Sequence, residues 1–176
     1  MPKTLLRGRV LTFVGAPLAD DDASAYRYFD DGGVLVENGL ILACGDYAEI
    51  EAEGAEVIDH RPHLILPGFI DTHNHFPQVQ VIASYGAQLL DWLNTYTFPE
   101  EMKFSDQTHA DRMAVRYFDE MLRNGTTTPV AYCSVHPEST DAYFAEAERR
   151  NMRVIGGKVM MDRNAPDGLL DTAQTS

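Results

Sequence analysis

Residues 67–78 read PGFIDTHNHFPQ and set two histidines one residue apart behind an apolar run. In an extended strand, side chains at i and i+2 share a face, so His73 and His75 can offer two imidazole nitrogens to a single ion. Asp71 lies on that face at i−2, where a carboxylate either orients a ligand or is held in a buried hydrogen bond. Pro67 and Gly68 mark a tight entry, and LILPGFID is the near-continuous apolar run expected of a strand buried on both faces. The C-terminal end of such a parallel strand is where α/β barrels carry their chemistry. That context favours a metal-binding strand end over two solvent-facing loop histidines.

Up to about residue 62 the chain is β-rich, with LLRGRVLTFV, GVLVENGLILACG and AEVIDHR as short β-branched or apolar runs. Asn38-Gly39 between two such runs signals a hairpin, and ADDDA at 19–23 is an exposed acidic loop. From His63 the texture changes. After LILPGFID a helix is expected around residues 87–96, stopped by Pro99. A stronger one is expected over about 106–123, capped by Ser105 and ended by Asn124-Gly125. Its apolar side carries Met113, Tyr117, Met121 and Val115, Phe118, Leu122.

TTTPVAYCSV reads as a second strand with Pro129 at its start, where a missing N–H is tolerated. A short helix through Arg150 follows, capped by Ser139 or Thr140 and turning Tyr143, Phe144 and Ala147 inward. MRVIGGKVMM gives a third strand. Strands alternating with helices imply parallel pairing with right-handed crossovers, an α/β arrangement.

The 176 residues carry a net charge of −13 and 44% hydrophobic residues. The apolar content suffices for a packed core, and the acidic balance excludes a polyanion partner such as nucleic acid. Cys44 and Cys133 form no CxxC or disulfide framework, which fits a reduced compartment. The N-terminal MPKTLLRGRVLTFV lacks the long apolar core and cleavage site of a signal peptide, and no stretch reaches transmembrane length. A cytoplasmic protein without a membrane partner is expected.

The other histidines read more blandly. His60 and His63 sit beside a proline in a loop and are expected in solvent, and His109 is expected on a helix surface. His136, after the second strand, either has structural duty or touches the substrate. Arg163 and Asn164, past the third strand, are expected to brace loops around a pocket.

LPGFIDTHNH resembles the first-strand signature of the amidohydrolase superfamily, whose members carry a β-sandwich beside a (β/α)8 barrel. HFPQ (75–78), LLDWLNTYTFPEE (89–101), LRNGTTT (122–128), VHPEST (135–140) and GKVMMDRNAPDGLLDT (157–172) are similar to the guanine deaminase branch of that superfamily. The resemblance implies an α/β fold in which residues 1–62 belong to the composite β-sandwich. Residues 63–176 are then the first βαβαβ portion, three strands, of a metal-dependent hydrolase barrel.

The implied activity is hydrolytic deamination of guanine to xanthine and ammonia in purine catabolism, at a cyclic amidine C–N bond. The implied cofactor is one zinc ion, or iron in some relatives, that activates a bound water. His73 and His75 match the first two metal ligands, and His75, Gln78 and Trp92 are expected at the substrate. The Gln78 amide both donates and accepts, as reading a purine edge requires. Trp92 either walls the base pocket or serves the apolar core. Asn74 stands where an apolar residue is commoner, but it points away from the histidine face. A homodimer is expected of the full-length protein.

The resemblance also calls for two histidines and an aspartate from later strands, and a proton-shuttling glutamate, so no catalytic acid or base is assigned within these residues. A catalytic zinc usually has three or more protein ligands, and a complete (β/α)8 barrel takes about 250 residues. The sequence is therefore expected to be an N-terminal portion, inactive alone, with a bare strand edge that favours self-association. Two alternatives stand beside this reading: another amidohydrolase-superfamily deaminase or amidase, and a non-catalytic binding or assembly module. His136-Pro137-Glu138 also matches the H-x-E half of an unrelated base-deaminase signature. The P-C-x-x-C half is missing, and no cysteine follows Cys133, so that scheme is excluded.

Overall fold

A computed structural model describes residues 2–175. Contacts within the chain group into two units, Met1–Pro67 and Gly68–Ser176. Among the described residues no helix is long and apolar enough to cross a membrane.

In the first unit, β1 (Thr4–Phe13), β2 (Tyr26–Glu37), β3 (Leu40–Asp46) and β4 (Glu56–Ile65) form a four-stranded sheet in the order β3-β2-β1-β4. β2 is antiparallel to β1 and β3, whereas β1 and β4 run parallel. The β2–β3 hairpin turns at Asn38 and Gly39 with φ of 51° and 80°, the left-handed pair that a two-residue hairpin requires. Arg7 lies over the Tyr47 ring and holds Asp31 through two hydrogen bonds of 2.7 and 2.5 Å. His60 and His63 are exposed, but on β4 rather than in a loop. The strand passes through them because it pairs with β1 on both sides of an irregularity between Arg7 and Arg9. There Arg9 donates to the Pro62 carbonyl at 2.9 Å.

In the second unit, β5 (Phe69–His75), β6 (Thr126–Tyr132) and β7 (Ile155–Gly157) pair in parallel in that order. A 3-10 turn over Phe76–Val81 follows β5. A helical run then comprises α1 (Leu89–Trp92), a π-turn over Leu93–Thr97, and α2 (Phe98–Glu101). Pro99 does not stop this helix. It occupies the first turn of α2, where a missing N–H is no loss, because the Phe98 N–H has already reached back to Leu93 across the wider turn.

α3 (Gln107–Arg123) is capped by Asp106, which accepts from the Thr108 N–H at 2.9 Å, and not by Ser105. Ser105 instead donates to the Met102 carbonyl at 3.0 Å. α4 (Pro137–Arg149) also starts earlier than its serine and threonine suggest. Ser139 is occupied in accepting from the Ser134 N–H at 3.1 Å. β7 keeps three residues of the longer run expected, since Lys158 leaves the ladder to pair with Asp171 at 2.6 Å.

The unit is organised around an aromatic cluster. Phe76, Phe104, Tyr117, Phe118 and Tyr143 are each at most 2% exposed. The Phe76 ring lies 5.1 Å from Phe104, 5.3 Å from Tyr117 and 5.6 Å from Tyr143, centroid to centroid. Such offset and edge-on pairs add to the stabilisation from burial alone. Arg150 ties the end of α4 to α3, reaching Asp119 at 2.7 Å and the Val115 carbonyl at 3.2 Å.

Several burial expectations are overturned. His109 is buried, edge-on to Phe104 at 5.0 Å, because the Met102–Ser105 turn folds that phenyl over the start of α3. Val115, Leu122 and Phe144 are exposed, because the cluster occupies the inner faces of α3 and α4 and leaves them on the outer flank. The β5 strand is not buried on both faces: Phe69 and Ile70 are 57% and 68% exposed. Among the described residues it pairs with β6 alone. Pro129 is the fourth residue of β6 rather than its first, and sits opposite Asp71, where the ladder loses its register.

Gly68 shows why the entry to β5 is tight: a Cβ there would stand 2.2 Å from Thr127 Cγ2 and Oγ1 on β6. Gly68→Ala is expected to destabilise the chain by about 1–3 kcal/mol through this overlap, read as a lower urea midpoint. An unchanged midpoint would contradict the close approach of the two strands.

Candidate active site

Phe76 is fully buried and stands between His75 and Gln78, so its anchoring in the aromatic cluster fixes the chain on both sides. The backbone leaves the strand at His75, and Phe76, Pro77 and Val81 turn inward from the 3-10 turn.

His73 and His75 stand on one side of β5 with ring centroids 5.4 Å apart. Both meet the ring of Tyr132, which is in register with His75 on β6. Tyr132 stacks on His75 at 5.0 Å and lies edge-on to His73 at 5.4 Å. Burial, and secondarily the neighbouring His73, lower the His75 pKa below its ordinary value. The neutral imidazole that a metal requires is thus favoured. As a donor set the pair fits a zinc or similar ion: two imidazole nitrogens on alternate positions of one strand end. Among the described residues no group of three or more His, Cys, Asp or Glu surrounds them, so the pair supplies two donors and not a full set.

Asp71 does not orient an imidazole. Its carboxylate accepts from the His73 backbone N–H at 3.1 Å and from the Asn74 amide at 3.0 Å. Those bonds, the Asn74 one first, hold its pKa below the usual carboxylate range. They replace the strand pairing lost between Asp71 and Asn74, where the ladder is irregular. Asn74 points to the opposite face, and its carbonyl accepts from Tyr117 on α3 at 2.6 Å. Burial pushes the Tyr117 pKa up, which keeps its hydroxyl a donor. The hydrogen bonds Tyr117–Asn74–Asp71–His73 thereby join helix α3 to the backbone of the first imidazole.

A cavity of about 420 Å³ is lined by His75, Gln78, Trp92, Asn74, Tyr117 and Met121, among others. That size lies in the range of small-molecule sites, roughly 300–1,000 Å³. His75, Gln78 and Trp92 are thus brought together, while His73 stays outside the lining. Gln78 donates from Nε2 to Glu101 Oε1 at 3.3 Å. Glu101 is buried at the end of α2, and burial raises its pKa above the ordinary carboxyl value, partly offset by the Gln78 donor.

His136, half-buried, holds the capping position of α4, and its Nε2 is buried without a hydrogen-bond partner. Arg163 and Asn164 are exposed, Arg163 beside Asp162, and they do not line the cavity. Sequence reasoning passed over Tyr132 and Glu101. Tyr132 was visible in principle as the last residue of the second strand, where its neighbour carries the histidines. Glu101 gave no signal, since FPEE reads as an exposed acidic turn.

These elements have known counterparts. Residues 64–176 match the model of the amidohydrolase family, and the chain belongs to that family. It is similar to the guanine deaminase of Escherichia coli (strain K12), at 46% identity over 160 residues covering 89% of this chain. The structure of guanine deaminase from Bradyrhizobium japonicum superposes with a TM-score of 0.89 and 40% identity over 99% of this chain. That of guanine deaminase from C. acetobutylicum, with guanine bound in its active site, gives a TM-score of 0.79 and 30% identity over 98% of this chain. The chain spans 36% of the first of these proteins, 38% of the second and 40% of the third.

The buried carboxyl yields a pH test. The folded pKa of Glu101 is raised, so its neutral form contributes stability that is fully present below the unfolded value of about 4.5 and is lost as pH rises through the folded pKa. Relative to Glu101→Gln, which has no such titration, the wild-type chain is expected to lose stability on going from acid to neutral pH. Parallel stability curves for the two would contradict the burial of a titrating carboxyl.

Proposed function

We propose that this chain supplies the first two metal ligands and part of the base pocket of a guanine deaminase, which converts guanine and water to xanthine and ammonia. The observation that carries the reading is the convergence of His75, Gln78 and Trp92 on one cavity, beside a second imidazole on the same strand. The similarity to three guanine deaminases supports the substrate. On this reading His73 and His75 hold zinc, or iron, which when bound supplies a water activated near neutral pH.

The chain's own residues then have separate duties. Tyr132 packs on both imidazoles and restricts their rotation. The relay from Tyr117 through Asn74 and Asp71 fixes the backbone from which His73 projects. Gln78 binds the purine edge, and Trp92 covers one wall and excludes water. The same reading assigns residues 1–62 to a composite β-sandwich and 63–176 to the opening of a (β/α)8 barrel. It also places the protein in the cytoplasm as a homodimer, within purine catabolism.

The product of the complete reading frame should deaminate guanine and leave adenine and cytosine unchanged, as followed by xanthine and ammonia release. His73→Ala and His75→Ala should each lose stoichiometric metal and activity. Gln78→Ala should keep its metal and raise KM. Metal retained at full rate in both histidine variants would remove the ligand assignment, and preference for another base would remove the substrate.

A further inference from the structure

The amide of Gln78 has a donor end and an acceptor end, and the purine meets only the end turned toward it. Which end that is depends on the partner behind Gln78. The partner is Glu101, whose Oε1 takes the Nε2 proton at 3.3 Å. In this geometry a Glu101 carboxyl oxygen is the acceptor, and the NH2 group is turned to it. Among the described residues, Gln78 Oε1 receives no hydrogen bond, and Gln78 lines the cavity.

The surroundings of Glu101 make this more than a loop contact. Glu101 is 7% exposed, and among the described residues no Lys or Arg pairs with it. A buried carboxyl without a cation is costly, and an amide or an apolar side chain would fill the same space at lower cost. Adjacent Glu100 does the ordinary structural work: it takes Gln80 at 2.7 Å and Lys103 at 2.5 Å. The end of α2 is held from behind as well, by the Ser134 hydroxyl donating to the Glu101 carbonyl at 3.4 Å. Gln78 and Gln80 thus meet consecutive carboxyl groups, one half-buried and ion-paired, the other enclosed and, among the described residues, engaged only with the amide at the cavity.

We propose that Glu101 is a positioning residue that turns Gln78 so that its carbonyl oxygen faces the cavity and accepts from a ring N–H or amino group of the bound purine. The inference rests on the guanine deaminase reading and deepens its specificity. Guanine carries N1–H and a 2-amino group as donors. Adenine has an acceptor at N1 and no 2-amino group, so an oxygen presented to that edge stays unpaired. Leaving a buried acceptor unsatisfied disfavours that base.

The test is a double-mutant cycle in the metal-loaded product of the complete reading frame, with Glu101→Gln, Gln78→Ala and the pair. Glu101→Gln keeps the shape but releases the amide to either orientation. It should raise the KM and Kd for guanine roughly three- to tenfold, the scale of one hydrogen bond, with kcat and metal content little changed. In the Gln78→Ala background the same substitution should have no further effect. Without substrate, the Gln78 side-chain NH2 resonances should move on Glu101→Gln. An unchanged KM, full additivity with Gln78→Ala, or unmoved resonances would each overturn the proposal. Failure of the activity reading shows separately, as wild-type protein that forms no xanthine, while the resonance arm still decides whether Glu101 sets the amide.

Discussion

The site depends on the burial of one phenyl ring. Phe76 comes directly after His75 and two residues before Gln78, and it is fully enclosed by Phe104, Tyr117 and Tyr143. Burying a side chain of this size contributes about 1.5–3 kcal/mol from apolar area, with aromatic packing in addition. A single hydrogen bond contributes about 0.5–1.5 kcal/mol net, so the ring dominates the local energetics. It decides where the strand stops, and so where an imidazole on one side and an amide on the other come to rest.

Two weaker systems refine what the ring fixes. On the strand side, the bonds from Tyr117 to Asn74 to Asp71 to the His73 N–H repair a broken ladder opposite Pro129. On the turn side, Gln78 and Gln80 reach Glu101 and Glu100 on α2. Both systems lead back to the elements that carry the aromatic cluster, α3 for Tyr117 and the segment around Phe104 for α2. The polar groups of the site are thus positioned from the core outward.

Much of this was legible from the residues. The histidine pair, the strand beneath it, the Asn-Gly hairpin and the Asn124-Gly125 helix end all rest on short-range rules of spacing and turn chemistry. The errors came where tertiary partners override local preference. Pro99 reads as a helix stop, yet a wider turn ahead of it lets the helix pass. His109 reads as surface, until Phe104 folds over it. Ser105 and Ser139 read as caps, but each finds a different partner nearby. Asn74 reads as a tolerated departure, whereas it links α3 to the strand. Glu101 was invisible because nothing in FPEE says which of two glutamates will be enclosed.

The most direct measurement on the central claim is metal content and guanine turnover in Phe76→Leu, made in the product of the complete reading frame. Leucine remains apolar at that position but gives up the ring contacts, and Phe76 itself does not line the cavity. If the ring positions the site, the variant stays folded while metal affinity and kcat/KM for guanine both fall, by about tenfold or more. Wild-type metal affinity and turnover in a folded Phe76→Leu protein would show that the histidines and Gln78 are placed by something other than this anchor.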